Sequence, residues 1–344
     1  MSRSTRHGRW WRGRALAVGA PAVVCVAVTG CCMVTKSDDA GVSAMSADGV
    51  ATVATTPAEM PDSPLTIEES DLVKLEGDTL FVHNAARGLQ VIDVSEPAAP
   101  QAVATVADTA GVSGELYVRD DHVALIVGAP RTACPGGAGS ALVEITRAST
   151  EPRAGEPLCL AGEIVASRVV GDVLYLVEVD STPYAGLTNL RSFWFRPDVV
   201  FSAIDSLPVS GTGVEVHVTD RTIYLTSAHP GDGAWTVVQA FDISAGDGSI
   251  LERGAAAVEG QPMGRFHMDE SGDTFRIVTR DGGNGGANLT VLDMSDLAAP
   301  QRLSVLRDIA PGEELFATRF VGDRAYIVTY RPELIVNTQQ VWPG

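Results

Sequence analysis

Aromatic residues make up only 6% of the 344 residues, and lysine and arginine together number 25 against 43 aspartates and glutamates. After residue 66 no stretch keeps the three-and-four spacing of apolar residues that an amphipathic helix requires. Gly, Asp, Pro and Ser interrupt the apolar runs every few residues, and this excludes a helical bundle. The abundant Val, Ala and Gly suit short strands joined by many turns. Signatures of catalysis are missing as well. The chain has no Gly-x-Ser-x-Gly elbow, no phosphate loop ending in Gly-Lys-Ser/Thr and no His-Glu-x-x-His. Its six histidines are scattered, which gives no support to a zinc site, and no cofactor is expected.

The shortage of positive charge is greater than the formal net charge of −18 suggests. Arg3, Arg6, Arg9, Arg12 and Arg14 lie in a leader without a single acid. Removing it leaves 20 Lys+Arg against 43 Asp+Glu, a net −23. Such a surface repels phosphate backbones, so nucleic acid is not an expected partner.

The leader itself is informative. After the arginines, Ala15–Gly30 is a run of small and apolar residues, interrupted by Pro21 and short for a bilayer span. It finishes Val28-Thr29-Gly30-Cys31, which resembles the lipobox of bacterial lipoproteins, with Val28 where Leu is commonest. Residues 1–31 are therefore expected to be an export signal, and Cys31 the site of lipidation. An ordinary secretory signal cut at another small residue is the alternative. Residues 32–65 have the composition of a flexible tether. The expected location is the bacterial cell envelope, outside the cytoplasm and lipid-anchored. In an exported protein Cys134 and Cys159 form a plausible disulfide, two free thiols being the alternative.

What the remaining sequence contains is repetition. An apolar run, a Gly-Asp or related turn, and a second apolar run recur, with the turn at residues 78, 121, 172, 220, 273 and 323. The steps of 43, 51, 48, 53 and 50 residues each match the length of one four-stranded propeller blade. A further phrase follows the strand pairs. It is Val91-Ile92-Asp93-Val94-Ser95, Ala240-Phe241-Asp242-Ile243-Ser244 and Val291-Leu292-Asp293-Met294-Ser295. Its alternation fits a third strand ending in a turn capped by the Asp, so these carboxylates are expected to cap turns rather than catalyse.

Glu68-Glu69-Ser70-Asp71-Leu72-Val73-Lys74, Phe266-His267-Met268-Asp269-Glu270 and the long string Ile309–Tyr330 carry a resemblance. The chain resembles the secreted or lipid-anchored bacterial β-propeller family distantly related to WD40 repeats, over roughly residues 66–331. The resemblance implies an all-β fold of four-stranded blades; counting hairpins gives about five complete and part of a sixth, and 332–344, an irregular polar tail, departs from the family pattern. The terminal hairpins are expected either to form one composite blade, Leu65–Val82 closing against Phe316–Val328, or to mark a shortened version.

Three candidate sites remain. His267 and Asp269, two residues apart, would share one face of a strand, where a base and its orienter are conceivable but a hydrogen-bonded structural histidine is the favoured explanation. Asp281, Asn284 and Asn288 could offer oxygen ligands to a calcium ion, but a mobile Gly-rich hairpin tip is the favoured explanation of the segment. Pro183–Pro208 reads as an inserted loop holding Tyr184, Phe193, Trp194 and Phe195, the candidate binding residues. The functional expectation is a binding or assembly module for an envelope protein or glycan. The alternative is an exported hydrolase or lyase working at the propeller's central channel.

Overall fold

The structure is a computed structural model that describes residues 22–28, 31–37 and 66–331, except 111–112, 121, 129–133, 135–138, 147–151, 180–186, 197–198, 211–212, 230–233 and 284. Tyr184, Asn284, most of the tether (38–65) and the tail (332–344) therefore lie outside the described residues.

Among the described residues strands alone build the regular structure apart from two 3₁₀ turns, Ala107–Thr109 and Arg265–His267. Ala22–Val28 (β1) and Cys31–Ser37 (β2) come first, and Ile67–Glu68 (β3) follows. The first sheet is Val73–Glu76 (β4), Thr79–Asn84 (β5), Gly88–Asp93 (β6) and Gln101–Val106 (β7), paired in that order. The second is Gly114–Arg119 (β8), His122–Gly128 (β9) and Ser140–Thr146 (β10), with Arg153–Ala154 (β11) and Leu158–Leu160 (β12) both pairing on β10. The third is Glu163–Val170 (β13), Val173–Val179 (β14), Leu187–Arg196 (β15) and Val199–Ser210 (β16), and β3 joins it beside β13. The fourth runs Gly213–Val218 (β17), Thr222–Ala228 (β18), Trp235–Asp242 (β19) and Leu251–Glu259 (β20). The fifth is Met268–Ser271 (β21), Thr274–Arg280 (β22), Ala287–Asp293 (β23) and Gln301–Ile309 (β24). Glu314–Val321 (β25) and Arg324–Tyr330 (β26) form a last hairpin, extended by β2 and β1 in the order β1-β2-β26-β25.

This is a β-propeller fold of successive four-stranded antiparallel sheets, five complete and one built on the final hairpin. Val73–Val82 belongs to the first sheet with β6 and β7, so the composite-blade alternative is not the arrangement found. The chain divides into two compact units. One comprises Pro61–Val258 with Met294–Gln301, and the other Glu259–Asp293 with Arg302 onward and the N-terminal strands.

The hairpin turns explain the repeat. At Gly77, Gly171, Gly272 and Gly322 the first turn residue has φ between 53° and 57°, open to glycine at little cost. The poorer second copy has Asp120 at this place, with φ 50°, an uncommon and strained conformation for a side-chain-bearing residue. The Asp-x-Ser phrase forms the expected cap. The Ser95 N–H donates to Asp93 at 2.8 Å, and the Ser244 N–H and hydroxyl donate to Asp242 at 2.9 and 2.6 Å. The Ser95 hydroxyl and N–H hold the Asp93 carboxyl below the usual carboxylate range. Burial works against the Asp242 carboxylate, but Ser244 and Arg253 outweigh it and bring its pKa down too.

Cores form between neighbouring sheets in the first unit. Phe81, Leu89 and Val91 pack on Leu116, Leu125 and Val143 from the second sheet. The other face of that sheet, with Tyr117, Ile126 and Leu142, meets Val169, Leu174, Leu176, Phe193 and Phe195 of the third. Tyr175, Val177 and Leu190 then meet Ile223, Leu225 and Phe241 of the fourth. The second strands of these sheets are thus buried on both faces, which is why Val123–Val127 and Val173–Val177 read as unbroken apolar runs. In the other unit Val278, Leu289, Leu315 and Ile327 form the core between the fifth sheet and the final hairpin.

Candidate functional site

The segment linking the N-terminal region to the first sheet is short, polar and extended. It crosses the exposed edges of β13 and β8 like a strap. On β13, Ile67 and Glu68 pair with Val170 and Val169, and the Gly171 N–H donates to the Thr66 carbonyl at 3.0 Å. On β8, Asp71 and Leu116 exchange backbone hydrogen bonds of 3.3 and 2.8 Å. The side chains of the strap are engaged as well. Glu68 meets Arg119 at 3.1 Å and Glu69 meets Arg168 at 2.9 Å. The Ser70 hydroxyl donates to Glu115 and accepts from the Ser167 hydroxyl at 3.1 Å.

Behind the strap the polar groups are ordered by one another. The hydroxyls of Tyr117 and Ser167 lie 2.9 Å apart, and burial pushes the Tyr117 pKa up, keeping it protonated. Arg119 bonds Asp172 at 3.1 Å and the Phe195 carbonyl at 2.9 Å, with its guanidinium 5.1 Å from the Phe195 ring centre. Arg168 donates to the Ser167 carbonyl at 2.5 Å. His217, on β17, is pushed down to about 4 by burial and by the Arg168 charge, so it is neutral near pH 7.

Where the strap ends, at Leu72, a cleft of about 580 Å³ begins. Its apolar walls are Leu72, Ile126, Val127, Ile164 and Val165, and Glu115, Ser140, Glu163 and Ser167 supply polar groups. Among the described residues β13 is strand-paired away from β14 only at Val169 and Val170, so Glu163–Ser167 line the cleft instead. A register shift between Ile164 and Ala166 bulges Val165 out of the ladder, leaving it 46% exposed. A Cβ on Gly139 would stand 2.5 Å from Gly162, so this cleft-lining residue must be glycine for the two loops to approach. Such a concave site, mostly apolar with a few converging polar groups, can bind a ligand. The Ser167 hydroxyl lies between Tyr117 and Ser70, within a hydrogen-bond chain that leads to Glu115.

The structure places the residues singled out from sequence differently. Where an inserted loop is expected, Leu187–Arg196 and Val199–Ser210 are the third and fourth strands of the third sheet. Phe193 and Phe195 face the core, 2% and 0% exposed, because alternate residues of β15 point to the second sheet. Trp194 lies on the other face, half-buried under the Arg196 guanidinium at 4.2 Å. Cys134 and Cys159 are bonded, with Cα atoms 5.7 Å apart. Cys31 opens β2, opposite Val328.

His267 sits in the 3₁₀ turn before β21 rather than on a strand with Asp269. Its Nδ1 is 2.7 Å from the Thr318 hydroxyl, and burial lowers its pKa. Asp269 instead binds Arg276, and burial raises its pKa despite that partner. Asp281 accepts the Gly283 N–H at 3.1 Å, and Asn288 accepts the Asp308 N–H at 3.3 Å, so both oxygens serve the backbone. Among the described residues no three His, Cys, Asp or Glu side chains gather as metal ligands.

Residues 201–333 match the family model described as beta propeller domain, and 69–108 match that of the LVIVD repeat. An uncharacterized protein of Methanocaldococcus jannaschii is 36% identical over 88 residues, a stretch covering 23% of this chain and only 14% of that protein. Among solved structures, a protein of Lactobacillus plantarum is 11% identical with TM-score 0.42, covering 77% of this chain and 74% of its own. A Bacteroides fragilis protein, provisionally classed as a 6-phosphogluconolactonase, is 10% identical with TM-score 0.41 and covers 70% of each.

Proposed function

Starting from a chain that carries a beta propeller domain and an LVIVD repeat, we propose that the protein is an exported, membrane-anchored binding or assembly module. Its ligand, an envelope protein or glycan, lies in the cleft beside the strap. The observation that carries this reading is the cleft itself: apolar walls, four converging polar residues, and along one side Glu163–Ser167 of β13, which among the described residues has no second strand beside it, the Ile164 N–H donating instead to the Ser140 hydroxyl at 3.0 Å. An extended ligand there would add backbone hydrogen bonds to β13 while its side chains met Leu72 and Val165. Anchoring is supported by the Val28–Cys31 sequence, where two or more acyl chains on Cys31 would hold the protein firmly at a membrane surface.

Val165 is the place to test the cleft. It is bulged and half in solvent, so Val165→Arg fills the site without disturbing the core. Immobilised full-length protein, incubated with envelope extract, is expected to retain a specific partner that the Val165→Arg protein loses at least ten-fold, at an unchanged melting temperature. Equal capture by both proteins would refute the cleft as the site. For the anchor, Cys31→Ser is expected to move the protein from the membrane to the soluble fraction. Continued membrane association would count against lipidation.

A further inference from the structure

We propose that the groove between β8 and β13 is a recognition site for acidic, extended peptide segments, and that residues 66–71 are its intramolecular occupant. The inference rests on the reading that this edge of the sheets is the recognition face, but it concerns a different stretch of it from the cleft.

The strap is held as a peptide ligand is held when it adds a strand to a sheet edge. Main-chain pairs supply attachment, and pockets for particular side chains supply selectivity. Both walls take part: Val169, Val170 and Gly171 on one side, and Leu116 on the other. The side-chain selectivity is for negative charge. Arg168 is almost buried, with side-chain exposure of 7%, and it meets Glu69, which is half in solvent. Arg119, at 18%, meets Glu68.

Arg119 is also fixed from behind by Asp172 and by the carbonyl and ring of Phe195, so its direction does not depend on the strap alone. In a chain of net charge −18, two largely buried guanidinium groups, Arg119 on β8 and Arg168 on β13, are a local reversal of sign on either side of the strap. A buried cation left without its partner is costly, so an emptied groove would favour an acidic segment over a neutral or basic one. The covalently joined strap competes at an effective concentration on the order of millimolar, and an incoming segment binds only where the strap yields.

The test uses the full-length chain and a fluorescein-labelled synthetic peptide of residues 64–72, Pro-Leu-Thr-Ile-Glu-Glu-Ser-Asp-Leu, followed by anisotropy. A variant with its own strap weakened, Ile67→Pro with Glu68→Ala and Glu69→Ala, is expected to bind the peptide at least ten-fold tighter than wild type. Adding Arg168→Ala should reverse most of that gain. Replacing both glutamates of the peptide with glutamine should weaken binding at least ten-fold. If the triple variant does not fold, Glu69→Gln alone is expected to give a gain of about three-fold. A folded variant that binds no better than wild type, or that binds the glutamine peptide equally well, overturns the proposal. The cleft experiment with Val165→Arg keeps the strap intact, so either result stands when the other fails.

Discussion

The hairpin Leu187–Ser210 and the strap Thr66–Asp71, whose Ile67–Glu68 joins the same sheet, make opposite impressions in the sequence. The hairpin is crowded with aromatic side chains and suggests a recognition loop. The strap is six residues of mostly polar character and suggests a linker. In the structure the aromatic segment is core and the polar segment joins two first strands. What separates them is the chance of satisfying the backbone. A strand inside a sheet has its N–H and C=O groups paired and can bury large rings, whereas a segment along an edge needs polar side chains to hold its position.

The largest effect that would break this contrast lies in the hairpin. Phe195 is wholly buried, its ring 6.3 Å from Tyr117, and Phe195→Ala is expected to cost about 3–5 kcal/mol in chemical denaturation. Trp194→Ala, on the half-buried face, should cost less than half as much. A reversed order would mean that the faces are assigned wrongly.

Next comes the disulfide of the second sheet, which closes 25 residues between a buried Cys134 and an exposed Cys159. Its removal by Cys159→Ser should lower stability by about 3 kcal/mol. Melting in the presence and absence of reductant measures the same quantity on the unaltered chain.

Acid should then act on the region beside the strap. His217 has its folded-state pKa lowered to about 4, against about 6.5 for an unperturbed histidine. Between those values the unfolded chain binds a proton that the folded one refuses, so stability falls as pH drops from 6.5 toward 4 and levels off below. The expected loss is on the order of 2 kcal/mol, since His217 keeps some contact with water. His267, in the other unit, contributes in the same direction. Unfolding curves at pH 7 and pH 4.5 for wild type and His217→Gln provide the check, and a variant that keeps the full pH slope would remove His217 from the account.

The smallest effect is a gain. Asp120→Gly relieves a positive φ in a hairpin turn that departs from the Gly-Asp pattern, and is expected to stabilise by about 1 kcal/mol. A loss instead would show that the backbone freedom glycine adds to the unfolded chain outweighs the strain it relieves.

The sheets themselves were readable because each hairpin declares its own turn. Gly77, Gly171, Gly272 and Gly322 mark the only backbone conformation that fits, and Asp93 and Asp242 mark the end of a third strand by capping it. The third and fourth strands of the third sheet were not readable. Register shifts between Ser192 and Phe193, and again before Phe195, break the two-residue period on which recognition of a strand depends. His267 was misplaced for a related reason, since a 3₁₀ turn of three residues leaves no periodic trace. The strap was visible only as a family phrase, Glu68–Lys74. Its partners Leu116, Arg119, Ser167 and Arg168 lie some 45 to 100 residues away, and no local pattern announces pairing at that distance.

The central claim is that residues 66–71 pair with the first strands of two sheets. Hydrogen exchange at the Gly171 and Leu116 amides tests it most directly, because these two N–H groups donate to Thr66 and Asp71. Slow exchange at both, rising on weakening the strap with Ile67→Pro, is the predicted result; exchange at the rate of free peptide in the unaltered protein would contradict it.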